Sequence, residues 1–330
     1  GAQVLLKSSG IAVPDAVFAG TGPLLYLVAY QYMKAGIPVR AILDTAPKTN
    51  TLAALPHLPA ALVNIGALMK GRRWIASLKA SGIPIIKGIT NLRLLGDDAV
   101  SGVEYRRRGS WQRIYTAHVF LHQGVVPNTN LAMAAGCAHR WSEAQLCWHA
   151  VTDAWADSNV AGLAIAGDGV GIGGARASEY SGRIAGLSAL HQCGQLDIAE
   201  RDRLAQPFHR ALTSEMRMRP FLDALFRPPR QFRIPADDAT IVCRCEEVPA
   251  ALVRQSVELG CTGPNQLKSF SHCGMGPCQG RFCGLTARDF TAIQLQKVDV
   301  FQIERRKPTV ARYVTDDTAQ KREHHARAFD

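Results

Sequence analysis

Six of the nine cysteines fall between residues 241 and 284, in IVCRCEEVPAALVRQSVELGCTGPNQLKSFSHCGMGPCQGRFCG. Cysteines that serve only as small apolar side chains have no reason to gather in this way. Cys243 and Cys245 form a close pair, and Cys278 and Cys283 follow in a glycine-rich loop after a segment of helical pattern. Short spacings bring pairs of thiolates onto one centre, and the intervening helices set their separation. Residues 248–259 read as a first helix, with Pro249 in its first turn and Gly260 as its stop, and Pro264 opens a second through Leu267 and Phe270. The loop Gly274-Met275-Gly276-Pro277 lets backbone amides approach sulfur, while Arg244 and Arg281 put positive charge beside the thiolates. On the residues alone, an iron–sulfur cluster and a structural zinc are both open, because four sulfurs suit either. A disulfide framework suits small secreted domains rather than a chain of 330 residues with an odd cysteine count.

Upstream, the pattern is α/β. Residues 15–20 read as a short buried strand, 24–35 as a helix apolar on most faces and stopped by Gly36, and 38–43 as a second buried strand ending at Asp44. Gly20 supplies a tight turn, Gly22 lets a pyrophosphate approach the helix that opens at Pro23, and Asp44 is placed to accept ribose hydroxyls, as in NAD sites. The third glycine of that fingerprint is missing: Leu25 stands there, with Ala29 one turn later. Residues 52–78 are helical in pattern, with a break near Gly71 among the basic Lys70, Arg72 and Arg73; 83–86 and 91–95 read as strands. A hairpin joins 100–105 to 113–115 across the polar tip 107–110, and 117–122 is a further buried strand. Later, a buried strand ends at Gly167-Asp168, followed by a glycine-dense turn and a small-residue helix from about Gly174. That pattern fits an anionic ligand at a helix N-terminus, and equally fits close helix–strand packing. Residues 198–226 form an arginine-rich helical stretch, 227–235 a proline-broken linker, and 301–330 a basic tail of weak pattern.

A length of 330 residues suggests two or three domains. The net charge of +11 comes from arginines spread over many segments without aromatic interleaving, which argues against a nucleic-acid partner. The apolar stretch 51–69 is broken by Pro56, His57, Pro59 and Asn64 and is not expected to span a membrane. Clustered thiols point to a reducing compartment, the cytoplasm. No catalytic base or nucleophile can be assembled from the sequence. His118, His122, His139 and His149 read as structural histidines, and Cys137 and Cys147 lack the spacing of a flavin-reducing disulfide.

CRCEEV followed by GMGPCQGRFC resembles the [2Fe-2S] domain named after bacterioferritin-associated ferredoxin. The resemblance implies Cys243, Cys245, Cys278 and Cys283 as ligands. Cys273 stands where that family needs none, which leaves Cys273 against Cys278 open, and Cys261 is expected in a helix-packing contact. AGDG with GGA and GRIAG looks like the second flavin-contacting motif of flavoproteins with two dinucleotide-binding domains. By that likeness Gly167 and Asp168 meet the ribityl–pyrophosphate part of FAD, and the backbone at Ile172 and Gly173 faces the flavin. Over almost the whole chain the resemblance is to the A (alpha) subunits of opine oxidases, related to those of hydroxyproline or proline dehydrogenases and sarcosine oxidase.

The implied architecture is an α/β, Rossmann-like flavoprotein, whose first FAD half would precede Gly1, plus a small helical [2Fe-2S] domain. Residues 1–10 would be a remnant of that half, 11–118 an inserted NAD-like domain, and 119–200 the returning half of the FAD domain. A helix and linker at 201–235, the [2Fe-2S] domain at 236–292 and a basic tail at 293–330 complete it. The implied cofactors are the cluster and FAD, with NAD or another adenine nucleotide as an option at the first turn. The implied role is electron transfer beside a flavin-containing beta subunit that oxidises an amino or imino acid. The alternatives are a hydrogen cyanide synthase-like subunit or a zinc-stabilised assembly module.

Overall fold

β1 (Ala16–Gly20), following the N-terminal helix α1 (Ala2–Ser9), is buried at all five positions, because the sequence AVFAG has an apolar or small residue for both faces of a sheet. The computed structural model to which it belongs describes residues 1–294; the basic tail from 295 on, with His324 and His325, lies outside the described residues. The chain divides into two units, Gly1–Val125 with Thr213–Ile234, and Val126–Leu212 with Pro235–Asp330.

In the first unit a four-stranded parallel sheet runs in the order β3-β2-β1-β7, with β2 at Val39–Asp44, β3 at Ile85–Lys87 and β7 at Val119–His122. The expected strand 117–122 thus completes this sheet, just past the boundary anticipated at 118. The helix α2 (Pro23–Lys34) starts with proline in its first turn and buries Leu25, Tyr26, Ala29 and Tyr32 on one side. Phe18, Tyr32 and Phe120 stack edge-on or tilted, with ring centroids 5.1–5.9 Å apart, each pair adding about 0.5–1.5 kcal/mol beyond simple burial.

The helical stretch expected at 52–78 is broken, but not near Gly71, which lies inside the continuous helix Ile65–Ala80. It forms α3 (Thr49–Ala54), α4 (Leu58–Ala61) and α5 (Ile65–Ala80), separated by tight turns at Leu55–His57 and Leu62–Asn64. Pro56 and Pro59 account for this, since each removes a backbone donor. Thr49–Ala80 is apolar enough to cross a membrane by length and composition, an 18-residue window within it having a mean hydropathy of 1.6. Its longest unbroken helix has 16 residues, however, short of the roughly 20 a span requires.

A three-stranded antiparallel sheet follows: β4 (Ile89–Leu95), β5 (Gly102–Arg107) and β6 (Ser110–Tyr115). Arg108 and Gly109 both have positive φ (52° and 86°), the signature of the two-residue hairpin turn that matches strand twist. The returning helix Arg219–Leu225 packs beside α3, where Asn50 donates to Leu225 O and Arg227 O at 3.2 and 2.9 Å.

The second unit contains α6 (Asn130–Ala134), a hairpin of β8 (His139–Ser142) and β9 (Cys147–Ala150), and α7 (Ala175–Gln192). Trp141 and Trp148 face each other across the hairpin at 5.5 Å. The buried strand expected just before Gly167 does not form: a single bridge, Asp157↔Ala164, stands in its place. The segment's backbone pairs only locally with residues 156–158, Ser158 N donating to Leu163 O at 3.0 Å and Ile165 N to Ala156 O at 2.8 Å, which is too short a ladder to make a strand. The cysteine-rich segment comprises a short ladder, Ile241–Cys243 with Val248–Pro249, and the helices Ala250–Glu258, Pro264–Ser271 and Gly284–Gln294.

Candidate metal centre and nucleotide turns

Strand residue Cys243, loop residue Cys273 and Cys283, at the foot of the last helix, bring their Sγ atoms within 4.8 Å of one another, all buried. The helices Ala250–Glu258 and Pro264–Ser271 act as the spacer between the two ends of this site. His272, with φ 59°, ends the second helix in a left-handed cap and turns the chain into the loop. Gly274 then donates its amide toward Cys243 Sγ at 3.5 Å. Only glycine fits at 276, because an added Cβ would collide with Cys245 Cβ. Gln279 braces the loop by donating to Met275 O and Gly276 O at 2.9 and 3.1 Å.

Cys245 and Cys278 form an outer pair, hydrogen-bonded to each other, Cys245 exposed and Cys278 half-buried. The Phe282 amide, followed by contact with Cys245 and the Gly280 and Arg281 amides, pulls the Cys278 thiol below its ordinary value against the opposing effect of desolvation. The Cys283 thiol is pushed far up by its hydrogen bond with Cys273 and by burial. Cys261, fully buried, donates instead to Gly263 O at 3.3 Å, and burial raises its thiol. Of the four ligands implied by resemblance, the structure gathers Cys243 and Cys283 closely with Cys273 and sets Cys245 beside Cys278. Five thiols of one site can supply the four sulfurs that either zinc or a two-iron cluster takes. Arg244 lies over the Phe282 ring at 5.2 Å, keeping a cation near the loop.

The glycine turn of the second unit is held by its own side chains. Asp168 Oδ1 accepts from Gly173 N (3.1 Å), Gly174 N (3.2 Å) and Ser178 Oγ (3.4 Å), and Gly167 N donates to Ser181 Oγ at 3.1 Å. Gln145 clamps Ile172 from both sides, its Oε1 accepting from Ile172 N at 2.9 Å and its Nε2 donating to Ile172 O at 3.0 Å. The His149 ring covers Gly171, where an added Cβ would come within 3.0 Å of it. The carboxylate expected to meet a cofactor therefore orders the loop in front of the α7 N-terminus. Gln145 and His149 carried no sequence signal for this; the hairpin, distant in sequence, delivers them.

In the first unit, Gly20, Asp44 and His122 sit side by side at the carboxyl ends of β1, β2 and β7, where the strand order reverses. His122 Nε2 lies 3.3 Å from where a Cβ on Gly22 would be, and burial lowers the imidazole pKa below 6.5, keeping the ring neutral. Pro23 opens α2 beside it. Asp44 is buried and already engaged: Tyr26 donates to Oδ2 at 2.5 Å, Ala46 N to Oδ1 at 2.9 Å, and Lys87 Nζ stands 3.5 Å away. Burial, then the adjacent carboxylate, pushes the Tyr26 phenol well above its ordinary range. In this arrangement Asp44 organises the strand tips.

No protein-family model matches the chain. It is 41% identical over 293 residues to the A subunit of opine oxidase from Rhizobium meliloti, covering 88% of this chain and 55% of that protein. To the A subunit of opine oxidase from Agrobacterium tumefaciens it is 39% identical over 305 residues, covering 90% and 59%. Hydrogen cyanide synthase subunit HcnB of Pseudomonas protegens is 32% identical over 295 residues, with 86% and 61% covered. Among solved structures, L-proline dehydrogenase from P. horikoshii superposes with a TM-score of 0.57 at 17% identity, over 90% of this chain and 48% of that one. The likeness to opine oxidase A subunits read from the sequence therefore holds at about 40% identity, and the shared fold is α/β and Rossmann-like. The chain spans 55–61% of the length of these three curated relatives.

Proposed function

We propose that this chain is the electron-relay portion of a flavin-dependent oxidoreductase that works, together with a partner subunit, on the C–N bond of an amino or imino acid of the opine type. The observation that carries the proposal is the convergence of five thiols in a chain about 40% identical to opine oxidase A subunits. Cys243 and Cys283, with Cys245 and Cys278 or Cys273, would hold a [2Fe-2S] cluster; the donor set, all sulfur with Cys243 and Cys283 buried, fits it. Such a cluster supplies one-electron transfer, the step needed to split the electron pair of a reduced flavin.

The remaining work belongs to the chain's own groups. Asp168 orders the turn ahead of α7 by accepting the Gly173 and Gly174 amides, so the pyrophosphate of FAD would bind at this turn only by displacing that carboxylate or beside it, and the Gln145 clamp holds Ile172 in place. In the first unit the turn Gly20–Gly22 fits an adenine nucleotide, with neutral His122 able to donate to a phosphate. Since Asp44 is engaged by Tyr26, Ala46 and Lys87, ribose selection by that carboxylate requires one of those partners to give way. A reducing, cytoplasmic setting suits nine free thiols.

The test is anaerobic purification followed by visible absorption and by iron, acid-labile sulfide and zinc analysis. Two irons and two sulfides per chain are expected. A colourless protein with stoichiometric zinc would defeat the relay and favour the assembly module. Co-purification with the partner chain, followed by a substrate screen, then decides between opine-type substrates and glycine, the second supported by the 32% match to a hydrogen cyanide synthase subunit.

A further inference from the structure

A four-thiolate centre leaves one of the five converging thiols over, and that thiol is not discarded into packing. Cys261 shows what a packing cysteine looks like here: fully buried, and donating to Gly263 O. Cys273 is also buried, but its Sγ lies within 4.8 Å of both Cys243 Sγ and Cys283 Sγ. The backbone on each side is arranged around this position. His272 adopts a left-handed φ of 59° that ends the helix, and Ser271 Oγ accepts from Cys273 N at 3.3 Å. Gly274, with φ 85°, aims its amide at Cys243 Sγ, and a Cβ added there would be 3.8 Å from Cys283 Sγ. The five sulfurs thus divide into an inner three, Cys243, Cys273 and Cys283, and an outer two, Cys245, which is exposed, and Cys278, which is half-buried.

From this division, and resting on the four-thiolate reading of the site, we infer that Cys273 is a reserve ligand that replaces Cys278. In the exchange the Cys273 thiol gives its proton to the departing Cys278 sulfur. One metal–sulfur bond forms and one breaks, and no electron moves. Cys278 is the thiol replaced because it shares with Cys273 the loop that ends at Cys283, and both thiols interact with Cys283. It is only half-buried, whereas Cys243 and Cys283 are enclosed and Cys245 lies on the other arm of the site. The exchange also alters the site electrically. The Cys278 sulfur accepts backbone amides from Phe282, Gly280 and Arg281, and moving to the buried Cys273 forfeits them. Fewer amide hydrogen bonds and less solvent both disfavour the more negative reduced state, so the reduction potential falls.

The experiment compares the full chain with Cys273→Ser, Cys278→Ser and the double variant, each purified anaerobically and reconstituted with iron and sulfide. Iron and acid-labile sulfide content, electron paramagnetic resonance of the reduced protein and the midpoint potential are read, and circular dichroism checks folding. Cys273→Ser should match the parent in content and signal. Cys278→Ser should keep at least about half the iron, with a shifted signal and a lower potential, and the double variant should keep little. Cys278→Ala serves as the second variant if the serine form is misfolded. A folded Cys278 variant without iron, beside a loaded parent, overturns the reserve role alone. So does a Cys273→Ser variant that loses as much iron as Cys278→Ser. A parent without iron or sulfide overturns the cluster reading, and this inference with it.

Discussion

The two glycine turns look alike in sequence and are built by different physics. The turn at Gly20–Gly22 grows out of a strand paired on both sides, with β2 and β7 in register through Asp44 and His122. Backbone hydrogen bonds fix it, and side chains only furnish its rim. The turn at Gly167–Gly174 has no strand beneath it among the described residues and is held by Asp168, Gln145, Ser178 and Ser181. A strand–turn–helix motif is therefore only as ordered as whatever lies beside it. Where sheet neighbours are missing, polar side chains take over the task, at the cost of depending on a few individual bonds.

The sharpest way to break this comparison is at Gly20. An alanine Cβ there would collide with His122 O, so β1 and β7 must part, and a loss on the order of 4 kcal/mol or an insoluble product is expected from chemical denaturation. Asp168→Ala comes next. It removes the acceptor of three hydrogen bonds and should cost about 2–3 kcal/mol while abolishing flavin retention in the assembled enzyme, measured by flavin fluorescence. Gln145→Ala should cost about 1–2 kcal/mol, with faster hydrogen exchange at Ile172 and no change near Gly20. Equal effects at both turns would erase the distinction drawn above.

The smallest effect is in pH. Burial lowers the His122 pKa in the folded chain from 6.5, so in mildly acidic solution the unfolded state binds the proton and the folded state does not. This contribution is fully present above the unfolded pKa and is lost as pH falls from there through the lower folded pKa. A His122→Gln variant should therefore show a shallower fall in stability below neutral pH, followed by thermal melts.

Local chemistry made much of this legible. Alternating strands and helices, the Arg108-Gly109 hairpin tip, the proline-opened α2 and the spacing of the cysteines each depend on a few neighbouring residues. The strand expected before Gly167 failed because apolar pattern reports what a segment can bury, and the described residues supply no strand to pair with it. The break expected near Gly71 falls instead at 55–64, because Pro56 and Pro59 each remove a backbone donor whereas a glycine inside a helix only weakens it.

The chain's own letters determined that thiols would converge, that glycine turns would precede helices, and where acids would stand at strand tips. Only the tertiary structure decided which thiols are inner and which outer, that Asp44 would be engaged by Tyr26 and Lys87, and that Gln145 would grip Ile172. Periodicity and turn chemistry act over a few residues, whereas these pairings join positions from 18 to tens of residues apart. Such contacts exist only once packing has closed the chain between them.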